Sequence, residues 1–161
     1  MDNSRVQFTI RNYLPEDFQK IWEIDQLCFP AGIAYSRYEL GFYIRRRNAF
    51  TLIVEDGDKK IIGFLVADTG RKGVGHIITI DVLANWRKHG IGSGLLEAAE
   101  QRLGSLSCRV VYLETAVDNA SAISFYKKHG YDVIETVPRY YSNGVDALVL
   151  EKDLRGPSPS R

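Results

Sequence analysis

The sequence predicts a mixed α/β domain whose centre is a strand, a glycine-rich turn and a helix in succession. Three observations predict it. Short β-branched runs alternate with stretches whose apolar residues recur at helical spacing, in the order βααβββαβαββ. The run His76 to Leu83 leads into Arg87-Lys88-His89-Gly90-Ile91-Gly92-Ser93-Gly94 and then into a helix. Turn residues punctuate the hairpins at Asp56-Gly57-Asp58 and Ser142-Asn143-Gly144.

The first strand is Val6 to Arg11. Leu14-Pro15-Glu16-Asp17 opens a helix, with proline early and acids in the first turn. Phe18, Ile21, Trp22 and Cys28 carry it to about Cys28. Phe29 to Tyr35 contains Pro and Gly and reads as a loop. Ser36 caps a second helix that ends in Arg45, Arg46 and Arg47. Strands follow at Phe50 to Glu55, Lys60 to Asp68 and His76 to Leu83. Ile91, Leu95, Ala99 and Leu103 form one stripe of the third helix. The strand Arg109 to Ala116 looks buried on both faces. Asp118-Asn119 caps the helix Ala120 to His129, which Gly130 stops. The last strands are Tyr131 to Val137 and Val145 to Lys152.

At 161 residues the chain suits one domain, residues 1–154, with a disordered Pro/Ser/Arg tail at residues 155–161. Twenty-one basic residues against 20 acidic leave a net charge of +1, which argues against a nucleic-acid binder. No apolar run approaches the roughly 18 residues of a membrane span. The N-terminus lacks the basic and apolar regions of a secretory signal. Cys28 and Cys108 make no disulfide framework and suit a reducing cytoplasm as inert thiols. His76, His89 and His129 show no zinc-ligand spacing, so no metal is expected.

Four features bear on chemistry. Glycines at a helix start let backbone N–H groups approach an anion, and the helix dipole favours the charge. A plain turn explains the glycines equally well; Arg87 and Lys88 tip the reading towards phosphate or pyrophosphate. The loop lacks the Gly-Lys-Ser/Thr of a P-loop, and Leu95 stands where a dinucleotide fingerprint needs its third glycine. Glu114 is a carboxylate in an apolar strand; it either reaches water at the strand end or has a task. Tyr126 suits core packing, yet a phenol is also a fitting proton donor to a thiolate. His76 is either a base or a satisfied histidine. His129 suits the helix dipole, and His89 suits solvent exposure.

Together these pieces resemble the GNAT superfamily of N-acetyltransferases over Val6 to Leu154. One signature, Arg/Gln-x-x-Gly-x-Gly, is met by Arg87, Gly90 and Gly92. The other is met by Asn119-Ala120-Ser121-Ala122-Ile123-Ser124-Phe125-Tyr126 and then Gly130-Tyr131. The resemblance implies a mostly antiparallel twisted sheet of about seven strands flanked by four helices. It implies acetyl-CoA as donor, its pyrophosphate on the loop from Arg87 through Lys88, His89, Gly90, Ile91 and Gly92 to Ser93. The pantetheine arm would pair with the backbone of Ile80, Asp81 and Val82. Asn119 would contact the cofactor and Tyr126 would protonate the departing thiolate. A backbone N–H near Val82, freed by a strand irregularity, would stabilise the oxyanion.

Arg139 to Ala147 further resembles the last hairpin of protein N-terminal acetyltransferases, the ribosomal-protein alanine acetyltransferase among them. That implies a protein or peptide N-terminus as acceptor, extending to a ribosomal protein. Phe29, Pro30, Tyr35, Tyr140 and Tyr141 would line its slot. Glu114 matches the glutamate base of the bacterial ribosomal enzymes. His76 stands where some relatives hold a water with a tyrosine, so either residue, or both through water, would take the proton. The implied reaction is direct attack of the amine on the thioester in a ternary complex. A GNAT enzyme acting on a polyamine or aminoglycoside, and a silent acyl-CoA sensor, are the alternatives.

Overall fold

The computed structural model describes residues 6–156. A seven-stranded sheet runs in the order β1-β2-β3-β4-β5-β7-β6, where β1 is Phe8–Asn12, β2 Ala49–Asp56, β3 Ile61–Arg71, β4 Val74–Val82, β5 Val110–Ala116, β6 Asp132–Val137 and β7 Ala147–Asp153. All neighbours are antiparallel except β4 and β5, which are parallel. The helices are α1 (Phe18–Cys28), α2 (Arg37–Arg45), α3 (Ile91–Ser105) and α4 (Ala120–Lys128).

Local chemistry fixes the helix starts. Asp17 accepts from the Leu14 N–H and pairs with Arg11, which holds a single 3-10 turn, Pro15–Asp17, ahead of α1. The Arg11 guanidinium keeps the Asp17 carboxyl below its ordinary range. Ser36 and Glu39 cap α2 reciprocally, Ser36 Oγ accepting from the Glu39 N–H and Glu39 accepting from the Ser36 N–H.

Each sheet face has its own core. Ile91, Leu95, Leu96, Ala99 and Leu103 of α3 pack with Leu52, Leu65, Ile77, Val111 and Leu113, and α4 adds Tyr126 to that side. On the other face Ile21, Ile24 and Leu40 of α1 and α2 cover Ile53, Phe64, Val66 and Ile78.

Three expectations change. The first strand starts at Phe8 and runs on to Asn12, the residue opposite Leu52. β5 is not buried on both faces: Val111 and Leu113 are fully covered, while Tyr112 and Glu114 are half-buried on the α1 side. No apolar layer reaches them there. Arg155 is held by Asp153 through its N–H and guanidinium, so order extends into the expected tail; residues 157–161 lie outside the described residues.

Two irregularities shape the centre. β4 and β5 pair only at Val74↔Val110, Gly75↔Val111 and His76↔Tyr112, then part. β4 continues to Val82 and β5 to Ala116 without a shared ladder. In β4, Thr79 pairs with Val66 but Ile77 pairs with Ala67, so Ile78 is an extra residue. The expected irregularity therefore sits at Ile78 and not near Val82. Strand alternation would put His76 and Asp81 on opposite faces; the bulge brings both to the α1 side, opposite Asp68 and Phe64.

Candidate active site

The parting of β4 and β5 opens a cleft with His76 and Glu114 at its floor. His76 Nε2 lies 2.7 Å from Glu114 Oε2, a direct contact with no room for an intervening water. Their side chains are 18% and 16% exposed, sheltered but reachable. Tyr112 stacks flat on His76, ring centroids 4.2 Å apart and 6° from parallel, which fixes the imidazole plane. Beside them lies a cavity of about 170 Å³ lined by Arg46, Asp68, Arg71, His76 and Tyr112. Arg46 is paired there with the buried Asp68 at 3.0 Å.

Tyrosines wall the cleft. Tyr140 and Tyr141 meet edge to face at 4.9 Å. Burial, with the nearby Glu114 charge, pushes the Tyr140 hydroxyl up to about 12 and raises Tyr141 further. Tyr35 packs on Tyr43 at 5.4 Å, and its hydroxyl donates to the Ile78 carbonyl at 3.4 Å. Burial raises that hydroxyl far above its ordinary value. The two loops that carry these rings touch. Ser142 Oγ donates to the Gly32 carbonyl at 2.9 Å, tying the β6–β7 loop to the α1–α2 loop. A Cβ on Gly32 would lie 2.7 Å from Asn143 Cβ, and Gly32 has φ +89°, so glycine is needed at this closure.

Of the expected acceptor contacts, the structure brings Tyr35, Tyr140 and Tyr141 together. Phe29 ends α1, its N–H donating to the Asp25 backbone carbonyl, and the Pro30 carbonyl turns the loop by accepting from the Ile33 and Ala34 N–H groups. Tyr43 and Tyr112 join the wall and were not singled out in the sequence. For Tyr112 the signal was available: it lies two residues before Glu114 on a strand, hence on the same face.

The glycine loop forms the start of α3. Gly90 is the N-cap in the left-handed region at φ 81°, with Lys88 also at positive φ. No side chain caps this helix, so its first-turn N–H groups remain open to an anion. His89 is exposed, and the Arg87 side chain braces the Val82 carbonyl at 3.0 Å. Ser93 pairs with His129 at 2.9 Å, so His129 links α4 to α3 besides facing its own helix end. Ile80 and Val82 pack towards the α3 core, whereas the Asp81 side chain is buried beneath α1, leaving only its backbone for a ligand. Asn119 Oδ1 caps α4 by accepting from the Ala122 N–H.

Tyr126 is 7% exposed, between Phe125 and Tyr131. Burial, with the charges of Asp81 and Tyr141 nearby, raises its hydroxyl well above the ordinary phenol value and keeps it protonated. The Cys28 thiol is pushed up to about 11 by burial, which makes it inert at neutral pH. Among the described residues there is no cluster of His, Cys, Asp and Glu able to hold a metal, and no helix long and apolar enough to cross a membrane.

These features are set in a family context by comparison with known proteins. The acetyltransferase (GNAT) family matches residues 18–131. An N-alpha-acetyltransferase of Sulfurisphaera tokodaii is 28% identical over 160 residues, covering 92% of this chain and 94% of that protein. An uncharacterised N-acetyltransferase of Methanocaldococcus jannaschii is 31% identical over 152 residues, covering 92% and 95%. Ard1 from Thermoplasma volcanium superposes with a TM-score of 0.83 at 25% identity, covering 92% of this chain and 98% of that one. The ribosomal-protein-S18-alanine N-acetyltransferase of Escherichia coli shares the fold, with a TM-score of 0.81 at 18% identity over 96% and 99% of the two chains. With the glycine-loop helix, the parted strands and this match over most of its length, the chain belongs to the acetyltransferase (GNAT) family and is an acetyl-CoA-dependent N-acetyltransferase.

Proposed function

We propose that the acceptor is the N-terminal α-amine of a protein or peptide, a ribosomal protein being one candidate, and that the reaction runs in the cytoplasm. The observation that carries this is the His76–Glu114 pair at the floor of a slot walled by Tyr35, Tyr140 and Tyr141 and bridged by Ser142 and Gly32. Such a slot admits an extended chain end. The resemblance to relatives named N-alpha-acetyltransferase supports the same class of acceptor.

Acetyl-CoA supplies the acetyl group as a thioester. The residues present fit it: the uncapped start of α3 offers N–H groups from Ile91, Gly92 and Ser93 to a pyrophosphate, and the parted β4 edge offers backbone to an extended arm. Glu114, with His76 hydrogen-bonded to it, takes the proton from the amine. Tyr126 holds its proton at neutral pH and is the donor proposed for the leaving thiolate, although burial makes it a weaker acid than an ordinary phenol.

The acceptor's own acidity matches this machinery. An α-amine with a pKa of about 7.7–8.0 is roughly a tenth neutral at pH 7, whereas a lysine near 10.4 is below about 0.1%. Freeing the amine at pH 7 costs roughly 1 kcal/mol for the first and about 4–5 kcal/mol for the second, so a carboxylate–imidazole pair is better matched to the α-amine. A polyamine would call for free carboxylates, and the one at the cleft floor is already engaged by His76.

The test is thiol release from acetyl-CoA across a peptide panel. Free-N-terminus peptides should turn over, and the same peptides with a blocked N-terminus and an internal lysine should not. Efficient acetylation of the blocked peptides, or of spermidine alone, overturns the α-amine assignment.

A further inference from the structure

Asp25 of α1 and Asp81 of β4 have no part in the chemistry above, yet they are the most deeply buried acids described. Asp25 is 0% exposed and Asp81 1%. Their carboxyl groups lie close enough beneath α1 to interact with each other. Two of the four oxygens have other donors: Asp25 Oδ2 accepts from the Tyr35 N–H at 2.7 Å, and Asp81 Oδ1 accepts from the Thr79 hydroxyl at 2.6 Å. The remaining two, Asp25 Oδ1 and Asp81 Oδ2, have no donor if both groups are ionised. Two adjacent carboxylates out of water cannot both carry charge. A proton placed between the orphaned oxygens satisfies both at once.

We propose that Asp25 and Asp81 share one proton at neutral pH and act together as a clamp that positions the α1–α2 loop, and Tyr35 in particular, at the acceptor slot. Tyr35 is held at three points. Its N–H donates to Asp25, its carbonyl accepts from Trp22 at 3.1 Å and Gln26 at 2.7 Å, and its hydroxyl reaches the β4 bulge at Ile78. The clamp thus joins the slot wall to the strand beside the cleft.

Two charges face the pair from outside. Glu39 from α2 disfavours charge on Asp25, and Arg87, after β4, favours charge on Asp81. Cys28 from α1 and Tyr126 from α4 lie close enough to feel these charges, and both stay neutral. Burial, then the Asp25 charge, push the Asp81 carboxyl well up, and burial raises Asp25 as well, so the proton belongs to the pair.

In the unfolded chain both acids ionise near about 3.9, so folding at neutral pH takes up one proton. Stability from this source falls as pH rises above the ordinary carboxylate range, until the pair releases its proton. The unfolding constant should therefore rise by up to about tenfold per pH unit from this pair, over the range above the ordinary carboxylate values where the pair keeps its proton. In D25N the amide supplies the missing donor and still accepts from Tyr35, so no shared proton is needed. Denaturant unfolding of both proteins across that range should give a slope lower by one proton in D25N. Equal slopes overturn the shared proton.

The positioning half rests on the α-amine reading. D25A removes the Tyr35 anchor and should raise the KM for a free-N-terminus peptide about tenfold while moving that for acetyl-CoA less than about twofold. An unchanged peptide KM in folded D25A overturns it. The unfolding slopes need no substrate, so a failed acceptor assignment leaves them intact and is told apart.

Discussion

The two faces of β4 and β5 are built from the same strands and do opposite work. Towards α3 and α4 they present Ile77, Val111 and Leu113, closed over by Leu95, Leu96, Ala99 and Leu103. Towards α1 and α2 they present His76, Tyr112, Glu114, Thr79 and Asp81. The first face is dry and close-packed, and its contribution is burial. The second is half-open at His76 and Glu114, which hold each other, and deeper in it Thr79 donates to Asp81. Period-two alternation separates stability from chemistry, and the Ile78 bulge keeps His76 and Asp81 together on the working side.

Mutations on each face should therefore fail in different ways. The largest effect is expected for Glu114→Gln, which keeps the shape but cannot take the proton. Turnover of a free-N-terminus peptide at neutral pH should fall by about 10²- to 10⁴-fold. Part of the loss should return as pH rises, because more of the acceptor is already neutral. His76→Gln alongside sharpens the assignment: comparable loss in both makes the bonded pair the base, and loss in one names it.

Leu95→Ala tests the other face. It should cost about 2–5 kcal/mol in denaturant unfolding, because a fully buried side chain leaves a cavity. The folded variant should keep its kcat, and a large kcat loss would break the separation of the faces.

Tyr126 sits where the two faces meet, in the α3-side core yet feeling Asp81. Tyr126→Phe should lower kcat by roughly 10²-fold with little change in peptide affinity, since the hydroxyl acts in the transition state. Normal turnover would return Tyr126 to packing alone.

The smallest effect belongs to the bridge over the slot. Gly32→Ala must crowd Asn143 and hold a positive φ, at a cost of about 1–3 kcal/mol if the loop keeps its shape. The peptide KM should rise several-fold with kcat nearly unchanged. An equal rise in the KM for acetyl-CoA would mean that the bridge serves the fold and not the acceptor slot.

The element order, the caps and the glycine loop were legible in the sequence because each depends on neighbours a few residues apart. Ser36 finds Glu39 three residues on, Asn119 finds the Ala122 N–H, and Ile91, Leu95, Ala99 and Leu103 align within one helix. Glu114 and His76 were visible as candidates, but their contact spans 38 residues and depends on where β4 and β5 stop pairing. Nothing local encodes that point. The same holds for the Ser142–Gly32 bridge across 110 residues and for Asp25 meeting Asp81. A one-residue bulge decides which face a side chain takes, and periodicity read from sequence carries straight through it. Composition and spacing thus settle which chemistry is available, while strand register and the distance between loops decide which groups meet to perform it.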